Sequence, residues 1–292
     1  MESVLNNFKL EFKKGTLLKK LIYINVGIFL LFGVLGVFSF MFQFNIRPLL
    51  NKLYLPSNLN VLIKQPWSFI SYMFLHSGFL HLLFNMVWLH FSGKLFLQYL
   101  NPQQLLSTYI LGGLSGGLIF IIAYNYVPAF QALSTEASAV GSSASVFAIM
   151  VAIATYTPNY AVQFPFIGFV KLKYIAIIMI ALDILSIPKG NAGGHIAHLG
   201  GALFGYFYIK QLQKGKDFSF NFSNLLARII NTFIIKKKLQ KVHKRATSDY
   251  EFNSREKQKQ KEIDKILEKI ANSGYESLSK KEKKALFSAS KK

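Results

Sequence analysis

Three serines crowded into one short turn, and histidines lying in apolar sequence, are the residues from which chemistry could be built. The segment Val140-Gly141-Ser142-Ser143-Ala144-Ser145-Val146-Phe147 delivers hydroxyls to the start of an apolar stretch. A serine is inert as a nucleophile until a neighbouring base removes its proton. Five of the six His, namely His76, His81, His90, His195 and His198, lie in or beside apolar stretches. Ionisable groups at such depth are costly and usually face a bundle interior or a water-filled cavity. Taken alone, a membrane serine more often bonds back onto its own helix. Position changes that reading, because unpaired N–H groups and the positive end of the dipole at a helix N-terminus would meet a negatively charged oxygen formed beside Ser143.

His198 is the base this reading favours. It is followed by Gly200, Gly201 and Gly205, and Gly201-xxx-Gly205 is a small-residue face that lets another helix approach closely. His81 and Asn85 are four apart, so they share one helix face. Taken alone, such a pair more often makes interhelical hydrogen bonds than serves a function. Phe147, one turn after Ser143, is placed to stack on an imidazole. Ser142 and Ser145 remain rival hydroxyls.

Elimination narrows the chemistry. The chain has no Cys, which removes disulfides, thiolate zinc sites, iron–sulfur clusters and cysteine nucleophiles. Between Leu21 and Ile209 the only acids are Glu136 and Asp183, so chemistry that needs a carboxylate pair is excluded. No carboxylate partner for the imidazole is expected, which leaves a Ser–His dyad. HExxH is absent, and no metal or cofactor is expected. A haem carrier using His81 and His198 would leave Asn85 and the Gly141-x-Ser143 turn without a purpose.

The elements that position these residues follow from hydropathy and charge. A mean hydropathy of +0.32 alongside a net charge of +21 requires segregation along the chain. Residues 1–20 read as a basic N-terminus carrying Lys9, Lys13, Lys14, Lys19 and Lys20, and residues 21–213 as a membrane domain. Residues 214–292 read as a basic tail, the stretch from Lys210 onward holding 22 basic and 9 acidic residues. Apolar stretches run from Leu21 to about Phe44, then about Phe79–Leu97, Leu105–Tyr126, Ser143–Thr157, Leu172–Ile187 and Gly194–Ile209, making six spans. The fourth is short for a bilayer, which implies irregular backbone at membrane depth lining a water-filled cavity. The loop between the first two, apolar yet broken by Pro48, Pro56 and Pro66, is expected to lie partly in the membrane interface. Tyr124, Tyr126, Asn125 and Asn191 read as ordinary span-end anchors. The Lys/Arg bias places both termini in the cytoplasm. The tail reads as two short helices, with Gly274 ending the first and Ser279-Lys280-Lys281-Glu282 forming a capping box for the second.

On these residues the chain resembles the rhomboid intramembrane serine proteases, of the bacterial type with an added basic tail. The resemblance rests on His76 and His81-xxx-Asn85 in span two, Gly141-Ser142-Ser143-Ala144 at the head of span four, and Ala197-His198-Leu199-Gly200-Gly201-xxx-Gly205 in span six. It covers about Leu21 to Gln213 and implies an all-α membrane protein, a six-transmembrane-helix bundle with a short helical cytoplasmic tail. It also implies Ser143 as nucleophile, His198 as general base and acid, and His81, Asn85 and the Ser143 N–H as oxyanion donors, with Gly141 as the turn glycine. Substrates would be single-pass membrane proteins in the cell membrane. The tail would meet anionic lipid or a cytoplasmic protein rather than nucleic acid. Three positions depart from common family usage: Ser68 follows Trp67 where Arg is frequent, Phe96 lies where a Glu often falls, and Ala144 replaces a frequent Gly. A non-catalytic relative that binds and routes membrane helices is the alternative, and such relatives usually lack the nucleophile or the base.

Overall fold

The computed structural model describes residues 14–164, 168–233 and 249–289. Lys9 and Lys13 of the basic N-terminus, and the basic stretch 234–248, lie outside the described residues. The chain divides into two units, residues 1–234 and 235–292.

The first unit is an all-α bundle whose six main helices follow the six apolar stretches: α1 Leu17–Met41, α2 Phe79–Tyr99, α3 Pro102–Tyr126, α4 Ser143–Tyr156, α5 Leu172–Ser186 and α6 Ala192–Gln213. A seventh, α7, spans Ser219–Phe233. Among the described residues, only α1 and α3 are each long and apolar enough to cross a bilayer, and α2 joins them when paired with the short helical segment Ser68–Phe74, from which it bends by 91°. The remaining helices fall short because α4 has 14 residues and α5 has 15, while α6 carries two histidines and a run of glycines. Interior helices need not be apolar throughout, since neighbouring helices rather than lipid receive their side chains.

Helix starts follow local rules. Thr16 caps α1 by accepting from the Lys19 N–H. Asn101 and Gln104 form a reciprocal capping box at α3, with Pro102 at its first position. α4 is the central post, with Ala148, Ile149, Met150, Ala152 and Ile153 fully buried. The glycines of α6 decide how closely it approaches. A Cβ at Gly201 would lie 2.0 Å from the Ala144 carbonyl oxygen, and one at Gly205 would lie 2.2 Å from that of Ala148. The two backbones are therefore in direct contact along two turns.

Two small strand pairs were not foreseen from the sequence. β1 (Leu55–Pro56) pairs antiparallel with β2 (Ser138–Ala139), Leu55 opposite Ala139. β3 (Ala161–Phe164) pairs with β4 (Gly168–Lys171) between α4 and α5. Two to four residues are too few for an alternating pattern to show. The first loop folds into short helices pinned by side chains, with Trp67 Nε1 donating to the Lys52 carbonyl at 2.8 Å and Ser71 Oγ to the Leu53 carbonyl at 2.7 Å. Ile63 and Ile70 stay exposed. Tyr124 is no surface anchor: it is buried and stacks on Phe130 with centroids 5.3 Å apart. Asn125 Nδ2 donates to the Ser57 carbonyl at 2.8 Å, tying α3 to the loop.

In the second unit, α8 (Asp249–Ser273) is far longer than a short helix and ends at Gly274 with φ +77. α9 (Lys280–Ala289) starts at the expected capping box, in which the Ser279 N–H donates to Glu282 Oε2 at 2.7 Å and the Glu282 N–H to Ser279 Oγ at 3.3 Å. Lys269 and Glu282 pair at 3.0 Å across the two helices.

Candidate active site

α4 begins where the chain turns through Gly141, whose φ of +131 is one that L side chains avoid. A Cβ there would lie 2.8 Å from both Cε1 and Nε2 of His81, so the glycine also makes room for that ring. The turn is fixed from behind by the Gly141 N–H, which donates to the Tyr72 carbonyl at 2.9 Å, and by the β1–β2 pair. The first helical hydrogen bond runs from the Val146 N–H to the Ser142 carbonyl. The N–H groups ahead of it, including that of Ser143, have no acceptor within the helix.

The three rival hydroxyls separate here. Ser142 is fully buried with its Oγ 3.2 Å from His76 Nε2. Ser145 Oγ is buried without a partner among the described residues. Ser143 is half-buried and opens into a cavity of about 710 Å³, which His81, Asn85, Gly141, Phe147, Asp183 and His198 also line. All five residues named for the site from the sequence therefore face one space. A cavity of about 760 Å³ between α1, α2 and the β3–β4 hairpin holds His90 and Lys94 but no hydroxyl of the turn.

His198 projects from α6 and stacks on Phe147, ring centroids 4.5 Å apart and planes 15° apart. Its Nδ1 is 3.0 Å from Asp183 Oδ1, which corrects the expectation of a bare dyad. Asp183 is 6% exposed and comes from α5, whose other side presents Ile177, Ile178 and Leu185 outward. His195 Nδ1 reaches the same oxygen at 2.5 Å, while Asp183 Oδ2 is buried with no partner among the described residues. Asp183, His195 and His198 offer three ligand atoms within 4.8 Å of one another. Both ring nitrogens converge on one carboxylate oxygen, which is a hydrogen-bonding arrangement. A cation held at roughly 2.0–2.2 Å from each ligand would need that oxygen to withdraw.

Among the described residues no hydrogen bond joins Ser143 Oγ to His198. Such contacts are often long without substrate and tighten when it binds. On the opposite wall Ser77 Oγ lies 3.0 Å from His81 Nδ1, and Asn85 Nδ2 donates to the His81 carbonyl at 2.9 Å. His76 packs edge-on against His81, centroids 5.2 Å apart. Sequence reasoning missed Asp183 and Ser77. The signal for Asp183 was available, since an acid inside an apolar span is itself a pointer to function.

Comparison with known proteins gives a rhomboid domain match over residues 63–214. The chain belongs to the rhomboid family. It is accordingly a membrane protein, in a family that includes serine proteases. This rhomboid is 27% identical over 205 residues to RHOMBOID-like protein 12, mitochondrial, of Arabidopsis thaliana, covering 67% of the chain and 58% of that protein. It is 32% identical over 141 residues to presenilin-associated rhomboid-like protein A, mitochondrial, of Danio rerio, covering 47% and 35%. RHOMBOID-like protein 5 of Arabidopsis thaliana matches at 28% over 190 residues, covering 61% and 56%. The chain thus spans between about a third and three fifths of the length of these curated relatives. Residues 246–292 match a family of unknown function, DUF6576.

Proposed function

We propose that this rhomboid is a serine endopeptidase that hydrolyses a peptide bond in or near the transmembrane helix of a single-pass membrane protein. One observation carries the reading: of the three hydroxyls in the turn, only Ser143 opens into the cavity that His198 also lines. Ser143 Oγ attacks the scissile carbonyl carbon while His198 accepts its proton. His198 then gives that proton to the leaving amine, and an ester to Ser143 remains. Water, losing a proton to His198, attacks that ester; as the bond to Ser143 Oγ breaks, His198 returns that proton to Oγ and the carboxyl product is freed. The negative oxygen of each tetrahedral intermediate is met by the Ser143 N–H and by His81 Nε2, with Asn85 beside them. A Ser77 hydroxyl donating to His81 Nδ1 leaves Nε2 carrying the proton that this role needs. Loss of one such donor typically lowers kcat by about 10²–10³.

The domain in this reading is residues 21–213, with both termini cytoplasmic in the cell membrane and the tail, 214–292, facing anionic lipid or a cytoplasmic protein. Two of the relatives carry "mitochondrial" in their names, so the membrane is tested by locating a tagged full chain. The absence of a Ser143–His198 hydrogen bond keeps one other reading in play, a helix-binding protein without catalysis. A fluorophosphonate probe on wild type, Ser143→Ala and Ser142→Ala separates the two. Labelling lost only in Ser143→Ala is expected. Labelling that survives in Ser143→Ala would end the assignment of the nucleophile, and wild type that neither labels nor cleaves a model helix would favour binding.

A further inference from the structure

Resting on the protease reading, we infer that Asp183 is a positioning residue that makes His198 a base toward Ser143, with His195 holding the carboxylate in place. An ionised carboxylate only accepts hydrogen bonds. Asp183 Oδ1, 3.0 Å from His198 Nδ1, therefore fixes the proton on Nδ1 and leaves the Nε2 lone pair for the cavity. Phe147 cannot make that choice. Its ring lies nearly parallel to the imidazole, and a stacked ring turned over by 180° about its last side-chain torsion stacks equally well. Without Asp183 the ring has two orientations and two neutral tautomers, and only the Nε2 lone pair turned to Ser143 works.

The burial of Asp183 needs its own explanation. A carboxylate inside a bundle is costly unless donors meet it. Among the described residues its ion-pair partners are His195 and His198, with no Lys or Arg beside it. His195 is not a lining residue of the cavity, yet its Nδ1 is the nearer of the two, at 2.5 Å. It donates to the same oxygen, and so anchors Asp183 without competing for Ser143. When Ser143 gives its proton to Nε2, His198 becomes an imidazolium beside a carboxylate that stays ionised.

The test uses the full chain in liposomes, with wild type, Asp183→Asn, Asp183→Glu, His195→Gln and Ser143→Ala. Asp183→Asn keeps the shape of the side chain and removes the charge. Its kcat should fall by about 10⁴ with KM unchanged, the size seen when a catalytic imidazole loses its carboxylate. Asp183→Glu should recover part of that loss, and His195→Gln should lose less than Asp183→Asn. Nitrogen-15 NMR of the His198 ring gives a readout apart from activity: Nδ1–H in wild type, lost in Asp183→Asn. Unchanged kcat in Asp183→Asn, or Nε2–H in wild type, overturns the inference while Ser143-dependent labelling leaves the protease reading standing. If wild type and Ser143→Ala are equally unreactive, the protease reading falls, and the NMR tautomer alone then decides whether Asp183 orients His198.

Discussion

Helix α1 and the α4–α6 seam are both made of small and apolar residues, yet they use them in opposite ways. The most apolar stretch of α1 is 11% buried, against 56% for that of α3, which borders the seam. Leu30, Leu31, Val34, Val37 and Phe40 of α1 point outward, and a Cβ added at Gly27, Gly33 or Gly36 would meet nothing within 4 Å. In the seam the glycines are in backbone contact and the neighbouring positions carry Ser143, His198 and, from α5, Asp183. Apolarity in α1 answers to lipid. Smallness in the seam lets helices approach closely enough to hold polar groups that lipid would not tolerate.

The largest effect expected inside the seam is from His198→Ala, which should lower turnover by about 10⁴ or more while leaving the fold, because Ala adds no bulk. A protein that fails to accumulate in the membrane would instead make the ring a packing element and blur the contrast with α1. Gly201→Ala and Gly205→Ala come next. Each forces two backbones apart, at a cost of about 1–3 kcal/mol or more, read as a lower unfolding temperature in detergent together with reduced probe labelling. Tyr109→Phe tests the join between the two regions. The Tyr109 hydroxyl lies 3.1 Å from Asn25 Nδ2 of α1 and 3.2 Å from the Met73 carbonyl, and its removal should cost about 0.6–1.7 kcal/mol, from the average to the largest value measured for hydrogen bonds inside membranes. The smallest effect is predicted for Gly33→Ala, between no change and about 1 kcal/mol of stabilisation. If it destabilises as much as Gly201→Ala, the distinction between lipid-facing and seam glycines is wrong.

Much of this was legible from sequence because hydropathy and spacing are local. The six helices follow the apolar stretches to within a few residues, and Phe147 stacks on His198 because residues four apart share a face. What was hidden depends on contacts across the chain. Asp183 lies 15 residues before His198 and on another helix, so counting acids discouraged a carboxylate partner where only the packing of α5 on α6 could reveal one. Tyr124 looks like an interfacial aromatic by its place at a span end, yet the turn after α3 folds Phe130 over it. By residue type Ser142 and Ser145 equal Ser143, which only the family resemblance picks out in the sequence; in the structure the three differ in what their hydroxyls face.

The chain has two tryptophans, and their placement gives it a built-in optical gauge. Trp67 is fastened to the first loop through Lys52, whereas Trp88 forms part of the cavity wall. With Trp67 replaced by Phe, the emission of the single remaining indole should report when a polypeptide enters and displaces water, without any dye attached to either molecule.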